Sequence, residues 1–168
     1  MKRVGIGYDI HRTAKGRRLM LGGVEIPHTA GLAGHSDADV LLHAVIDALL
    51  GAAALPDIGH YFPPSDPEIE GISSSVMLAK AVSEVQKAGW EIANVDTVLV
   101  AEAPKISPHR AAIRARVARL LHIPVDCVQV KGKTNEGLDA IGEGKAMAAH
   151  AVVLLMSKVQ GPMSNVTE

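Results

Sequence analysis

Strand-like and helix-like runs alternate along this chain in the order ββααβαβα, punctuated by Gly and Pro, with no internal repeat and no linker long enough to divide the chain into separate domains. Residues 3–10 and 18–26 are β-like and flank the basic turn Ala14-Lys15-Gly16-Arg17-Arg18, and Gly22-Gly23 marks a bulge or tight bend in the second run. A helix is expected to begin near Ser36-Asp37, both good N-caps, and to run through Val40, Leu41, Leu42, Ala44, Val45, Leu49 and Leu50 to Gly51. Pro56, Pro63, Pro64 and Pro67 with Gly59 and Gly71 make residues 56–72 a loop. A second helix follows Ser73-Ser74-Ser75 and stops at Gly89, placed as a C′ residue. Trp90 to Ala103 reads as a long strand, Ser107-Pro108 opens a third helix reaching about His122, and Val125 to Thr134 reads as a strand. Gly142 to Val159 reads as the last helix. The expectation is one α/β (α+β) catalytic domain over residues 1–159, a single sheet with helices packed on one face, and a frayed, disordered tail over residues 160–168. The other sheet face must also be buried, and oligomerisation through it would do so.

Charge narrows the partners. Lys plus Arg number 17 and Asp plus Glu 18, a net charge of −1, so nothing points to a polyanion such as nucleic acid. Aromatic residues are 2%, too few for the stacking platforms of single-strand binders. Any anion site must be local and small. The lone Cys127 can form no intrachain disulfide and reads as a buried, inert thiol in a reducing compartment. The longest apolar stretch, Ala146 to Met156, is interrupted by His150 and falls short of the roughly 20 residues a bilayer span needs. Met1 to Gly7 enters a strand directly, without the pattern of a signal or transit peptide. The expectation is a cytoplasmic protein with no membrane contact.

Five stretches could carry chemistry. In Gly7-Tyr8-Asp9-Ile10-His11, Asp9 and His11 are i and i+2 on a strand and can aim at one point, a carboxylate and an imidazole suited to zinc or a similar ion. The same letters also describe an Asp capping a turn beside a surface His. The stretch His35 to Asp47 holds two His and three Asp, and Asp39, His43 and Asp47 fall on one helical face. A solvated face is the default for Asp39 and Asp47, but such faces usually carry Lys, Glu and Arg. His43 as third ligand would leave an open fourth position, the catalytic arrangement. Asp47 could then hold the other imidazole N–H of His43. The loop Asp57-Ile58-Gly59-His60-Tyr61-Phe62-Pro63-Pro64-Ser65-Asp66 fits either a substrate wall or an ordinary connector. Lys131-Gly132-Lys133-Thr134-Asn135-Glu136-Gly137 ends a strand with phosphate donors and a carboxylate able to hold a hard cation, but lacks the Walker A spacing. Ala101 to Ser107 could grip a base through its backbone, though a plain strand-to-helix turn is the stronger reading of those letters.

Gly7-Tyr8-Asp9-Ile10-His11, Gly34-His35-Ser36-Asp37-Ala38-Asp39-Val40 to His43, Asp57-Ile58-Gly59 through Asp66, Ala103-Pro104-Lys105 and Lys133-Thr134-Asn135-Glu136-Gly137-Leu138 together resemble the 2-C-methyl-D-erythritol 2,4-cyclodiphosphate synthase family, in order and over about residues 2–158. The resemblance implies a lyase of the non-mevalonate route to isoprenoid precursors. It would cyclise 4-diphosphocytidyl-2-C-methyl-D-erythritol 2-phosphate and release CMP, as a homotrimer with active sites between subunits. It implies that Asp9, His11 and His43 bind zinc and that Glu136 binds magnesium or manganese with the diphosphate. His35 and Thr134 would stabilise the transition state. Asp9, His11, His35, Ser36, Asp57, Gly59, Phe62 and Asp66 would contact the substrate on one side, and Ala101, Ala103, Pro104, Lys105, Ser107, Lys133, Thr134, Asn135 and Glu136 on the neighbour's side. The chain departs from the family near Asp139 to Ala146. There a common aromatic is Ala140, and a common Arg and Glu are Glu143 and Lys145, with signs exchanged. A weak response to an isoprenoid diphosphate on the trimer axis is expected.

Overall fold

The computed structural model describes residues 1–63 and 65–158. The expected tail at 160–168 and Pro64 of the substrate loop lie outside the described residues. Five strands form one sheet: β1 (Lys2–Lys15), β4 (Ala30–Leu32), β5 (Trp90–Val100), β6 (Val128–Lys133) and β7 (Ala146–Ser157), in the spatial order β4-β1-β7-β5-β6. β5 and β6 run parallel and the other pairs antiparallel. The parallel pair is joined by α4 (Arg110–Leu121), as a crossover requires. β2 (Leu19–Leu21) and β3 (Val24–Ile26) form a separate hairpin. Gly22 and Gly23 are its two turn residues, with φ of 63° and 75°, the left-handed pair that a tight hairpin turn demands. The single expected second strand is therefore two short ones around a tight bend.

Helix α1 (Val40–Ala52) lies against β1 and β7, and α3 (Ser74–Lys87) and α4 continue the layer over β5 and β6. Within α1 only Asp47 and Gly51 escape full burial, so the helix is the centre of the core. Its cap is Asp39, three residues later than Ser36. Asp39 is fully buried and accepts from Leu42 N at 3.1 Å, Gly22 N at 2.8 Å and Gly23 N at 2.6 Å. The solvated-face reading of Asp39 is thereby overturned: its carboxylate pins the β2–β3 hairpin to the start of α1. Burial pushes that carboxyl's pKa up, against the three N–H donors and with Asp37 adding repulsion. Ser73 caps α3, and Gly89, φ 85°, follows its end as expected.

The largest correction concerns the C-terminal segment. The helix expected from Gly142 to Val159 is absent over residues 143–158, the part of it that the structure describes beyond Gly142. Asp139–Gly142 make one turn, α5, and Ala146–Ser157 form β7, which pairs with β1 on one side and β5 on the other. The order therefore ends in a strand, and the expected sequence ββααβαβα is wrong there. A strand paired on both sides reads as a continuous apolar run, which periodicity cannot tell from a buried helix. The 56–72 loop contains a single turn, α2 (Ile58–Tyr61), and a 3₁₀ turn at Pro67–Ile69. The third helix starts at Arg110, after Ser107-Pro108. Val125–Cys127 form a 3₁₀ turn ahead of β6, and Cys127 is half-buried rather than buried. The architecture is a mixed α/β fold with helices on one sheet face. Among the described residues no helix is long and apolar enough to cross a membrane.

Candidate metal centre and active site

Asp9 and His11 lie two residues apart on β1 and leave the strand on one side. It is the helix side, because Gly5 and Gly7 in the same alternation lie against α1. A Cβ on Gly7 would overlap the Ala44 carbonyl oxygen and come within 2.7 Å of Ala48 N. The glycines let α1 descend onto the strand, and its first turn carries His43 over Asp9 and His11. Asp9 Oδ2 lies 2.9 Å from His11 Nε2 and 2.9 Å from His43 Nδ1, and the two ring nitrogens are 3.1 Å apart. A tetrahedral ion with bonds of about 2.0–2.1 Å spaces its donors about 3.3 Å apart. A few tenths of an ångström of outward movement would therefore seat one. Among the described residues this is the one cluster of three such donors.

Each imidazole is aimed by its second nitrogen. His11 Nδ1 donates to the Ala33 carbonyl at 2.8 Å, leaving Nε2 for a ligand. His43 Nε2 faces Ser74 Oγ at 2.9 Å and Ser36 Oγ at 3.2 Å, leaving Nδ1. Burial would raise the Asp9 carboxyl, but hydrogen bonds and charge from His11 and His43 hold it well below the usual carboxylate range. Burial would lower His11, yet the hydrogen bond and charge of Asp9 raise it above its ordinary value. Asp47 does not reach His43 as expected: its Oδ1 accepts from Ile58 N at 2.9 Å, and burial raises its pKa.

Beside the cluster, His35 is exposed and Ser36 is 5% exposed. Arg17, from the basic turn, donates to the Ser36 carbonyl at 2.7 Å, a contact the letters did not announce. Asp57 caps α2 by accepting from His60 N at 3.1 Å, and leaves Gly59 exposed and Phe62 half-buried beyond it.

The phosphate-donor segments assemble elsewhere. Ala101, Pro104, Lys105, Ser107, Lys133 and Thr134 line a cavity of about 180 Å³ together with Glu102, from within the Ala101 to Ser107 segment, and Arg110, which the sequence reading did not single out. Arg110, the first residue of α4, adds a cation there. Ala103 precedes Pro104 in a cis bond and is exposed. Thr134 Oγ1 donates to Glu136 Oε1 at 2.6 Å, and Asn135 N donates to Glu102 Oε1 at 2.7 Å. Across the sheet Asp9 is in register with Ala149, Leu99 and Gly132, so this cavity stands at the same sheet end, three strands away. At about 4.8 Å per strand that is about 14 Å. Within one chain the two groups of residues therefore do not meet. Near β7, Lys145 and Glu143 form the sign-exchanged ion pair.

The YgbB family model matches residues 2–156. A 2-C-methyl-D-erythritol 2,4-cyclodiphosphate synthase of Gloeobacter violaceus is 58% identical over 153 residues, 91% of this chain and 94% of that protein. The bifunctional IspDF of Campylobacter jejuni superposes with a TM-score of 0.91 at 36% identity, covering 94% of this chain, which spans 43% of that longer one. IspF of Plasmodium falciparum, solved as a CDP complex, superposes with a TM-score of 0.82 at 38% identity, covering 94% of this chain and 97% of that one. With relatives this similar over nine-tenths of its length, the chain is an enzyme, a synthase, and belongs to the YgbB family.

Proposed function

We propose that this enzyme converts 4-diphosphocytidyl-2-C-methyl-D-erythritol 2-phosphate into 2-C-methyl-D-erythritol 2,4-cyclodiphosphate and CMP. It would be a cytoplasmic phosphorus–oxygen lyase of the non-mevalonate isoprenoid route. The observation that carries the reading is the convergence of Asp9, His11 and His43 within 3.1 Å of one another beside the exposed His35. Asp9, His11 and His43 would hold a divalent ion, zinc by their donor set, which would supply Lewis-acid neutralisation of phosphate charge.

An oxygen of the 2-phosphate bonds to the β-phosphorus, and the bond from that phosphorus to the bridging oxygen breaks, its electron pair leaving on CMP. Both reacting groups are anionic and belong to one molecule, so the chain's task is positioning and charge neutralisation. The phosphate nucleophile is already ionised, which fits the absence of a nucleophile–base pair among the singled-out residues. His35 would donate to the phosphoryl oxygens as charge shifts, and Thr134 would do the same once its hydroxyl is released from Glu136. Ser36, Asp57, Gly59, Phe62 and Asp66 hold the erythritol phosphate. Ala101, Ala103, Pro104, Lys105 and Ser107 hold the cytidine, largely through backbone groups. Lys133 and Asn135 face the phosphates, and Glu136 would hold magnesium or manganese against them.

The separation of about 14 Å between the half-sites supports a shared active site, with the second half supplied by a neighbouring subunit. The open sheet face supports the same reading. Val4, Ile6, Tyr8 and Ile10 of β1 and Val152 of β7 are all exposed there, Ile6 to 72%. A homotrimer closed over these faces satisfies both observations. Chromatography of a reaction with the diphosphocytidyl substrate is expected to give CMP and the cyclic diphosphate in equal amounts. Inorganic phosphate as the released product would instead identify a phosphohydrolase.

A further inference from the structure

His43 is the one ligand whose far nitrogen meets no carbonyl and no carboxylate directly. Its Nε2 faces Ser74 Oγ at 2.9 Å, and Ser74 Oγ donates to Asp37 Oδ1. Ser74 is fully buried. Asp37 is held in turn, its Oδ2 accepting from Ser74 N at 3.0 Å and its Oδ1 from Asp39 N at 3.3 Å. We propose that Ser74 and Asp37 are positioning residues of the metal centre, a carboxylate–hydroxyl–imidazole chain that fixes the tautomer of His43 and strengthens its Nδ1 as a ligand. The proposal rests on the metal reading above.

The chemistry follows from proton counting. A serine hydroxyl has one proton and two lone pairs. That proton is committed to the Asp37 carboxylate, so Ser74 can only accept from His43. His43 then carries a proton on Nε2, and when the Nδ1 contact to Asp9 Oδ2 at 2.9 Å gives way to an ion, Nδ1 presents its lone pair to that ion. Metal-bound imidazoles usually donate their free N–H straight to a carboxylate or carbonyl, which fixes the ring and raises its basicity. Here a hydroxyl is interposed and passes on the polarisation.

Helix capping does not account for Ser74. The α3 cap is Ser73, whose side chain accepts from Ser75 N at 3.3 Å. Ser36 Oγ, the other group near His43 Nε2, accepts from Ala38 N at 3.1 Å and lies farther off, at 3.2 Å. The chain also has a consequence for the substrate side. Asp37 follows His35 and Ser36 directly, so anchoring it on Ser74 ties the proposed substrate segment to the ligand it serves.

The test measures zinc affinity of the full-length protein by competition with a chromophoric chelator, alongside thermal unfolding of the zinc-free protein and ¹⁵N NMR of the histidine rings. Ser74→Ala and Asp37→Asn are expected to weaken zinc binding about 10- to 100-fold. In both, His43 should lose the ring signals of a single tautomer. Ser73→Ala, which removes only the cap, is expected to lower the melting temperature and leave zinc affinity unchanged. A folded Ser74→Ala with wild-type affinity and an unchanged His43 tautomer overturns the proposal. Equal loss of affinity in Ser73→Ala also overturns it, because the effect would then be helix stability. Failure of the wild-type protein to hold one zinc per chain overturns the metal reading itself.

Discussion

Gly7 and Ala44 touch backbone to backbone: a Cβ on Gly7 would overlap the Ala44 carbonyl oxygen, one residue from His43. Closeness of strand and helix is therefore a condition of the candidate metal centre. Gly7→Ala must push α1 away from β1. Overpacking of this kind costs about 1–3 kcal/mol, and backbone cannot swing aside as a side chain can, so the upper end applies. Because His43 moves with α1, zinc affinity should fall together with stability. Urea unfolding and chelator competition on the same variant check both.

Asp39 satisfies three backbone N–H groups while fully buried. Asp39→Ala leaves Gly22, Gly23 and Leu42 donors without their carboxylate. Loss of a cap costs about 1 kcal/mol, and orphaned buried donors add about 1–3 kcal/mol. Thermal unfolding should show a loss of about 2–4 kcal/mol, larger than that from Ser73→Ala at the α3 cap.

The metal-free protein should show a specific pH dependence. His11 is raised above its ordinary 6.5, so its contribution to stability is complete below pH 6.5 and fades as pH rises through the higher folded value. Asp9 is lowered below its ordinary 3.8, so its contribution is complete above that pH and fades as pH falls further. Stability of EDTA-stripped protein should therefore decline above pH 6.5. Zinc needs His11 neutral, so its binding should release protons and tighten over the same range. Denaturation and calorimetry in buffers of different ionisation enthalpy measure the two effects.

A shared active site makes a prediction about mixed subunits. Asp9→Asn and Glu136→Gln should each abolish turnover as pure proteins. When the two are unfolded together and reassembled in equal amounts, a site needs its metal ligands from one variant and Glu136 from the other. Random assembly makes about one quarter of the sites complete, because each condition is met half the time. Recovery of about a quarter of wild-type activity is expected; no recovery would mean that each chain forms its own site.

Much of this was legible in the letters, for reasons that differ by element. Asp9 and His11 could be paired because strand side chains alternate, and His43 could be added because it lies where the helix begins. Gly89 and Ser73 announced the ends of α3 by backbone chemistry that acts locally. β7 was not legible. Its Ala-rich start matches helix propensity, and its strand state comes from pairing with β1 and β5, far away in sequence. The one local sign was His150, exposed between Ala149 and Ala151, both buried, an alternation of period two. Asp39 and Asp47 were misread for a related reason. Their partners, Gly22, Gly23 and Ile58, are backbone N–H groups that a side-chain pattern does not display. Ser74 stood in a run of serines ahead of a helix, and only the fold carries it to His43.

Cyclisation by this enzyme is tested most directly by ³¹P NMR of the zinc-replete protein with 4-diphosphocytidyl-2-C-methyl-D-erythritol 2-phosphate and Mg²⁺. The substrate's phosphomonoester and diphosphate resonances are expected to give way to the paired signals of a cyclic diphosphate and the single signal of CMP, and Asp9→Asn is expected to abolish the change. Persistence of the substrate, or growth of an inorganic phosphate signal without a cyclic product, would contradict cyclisation.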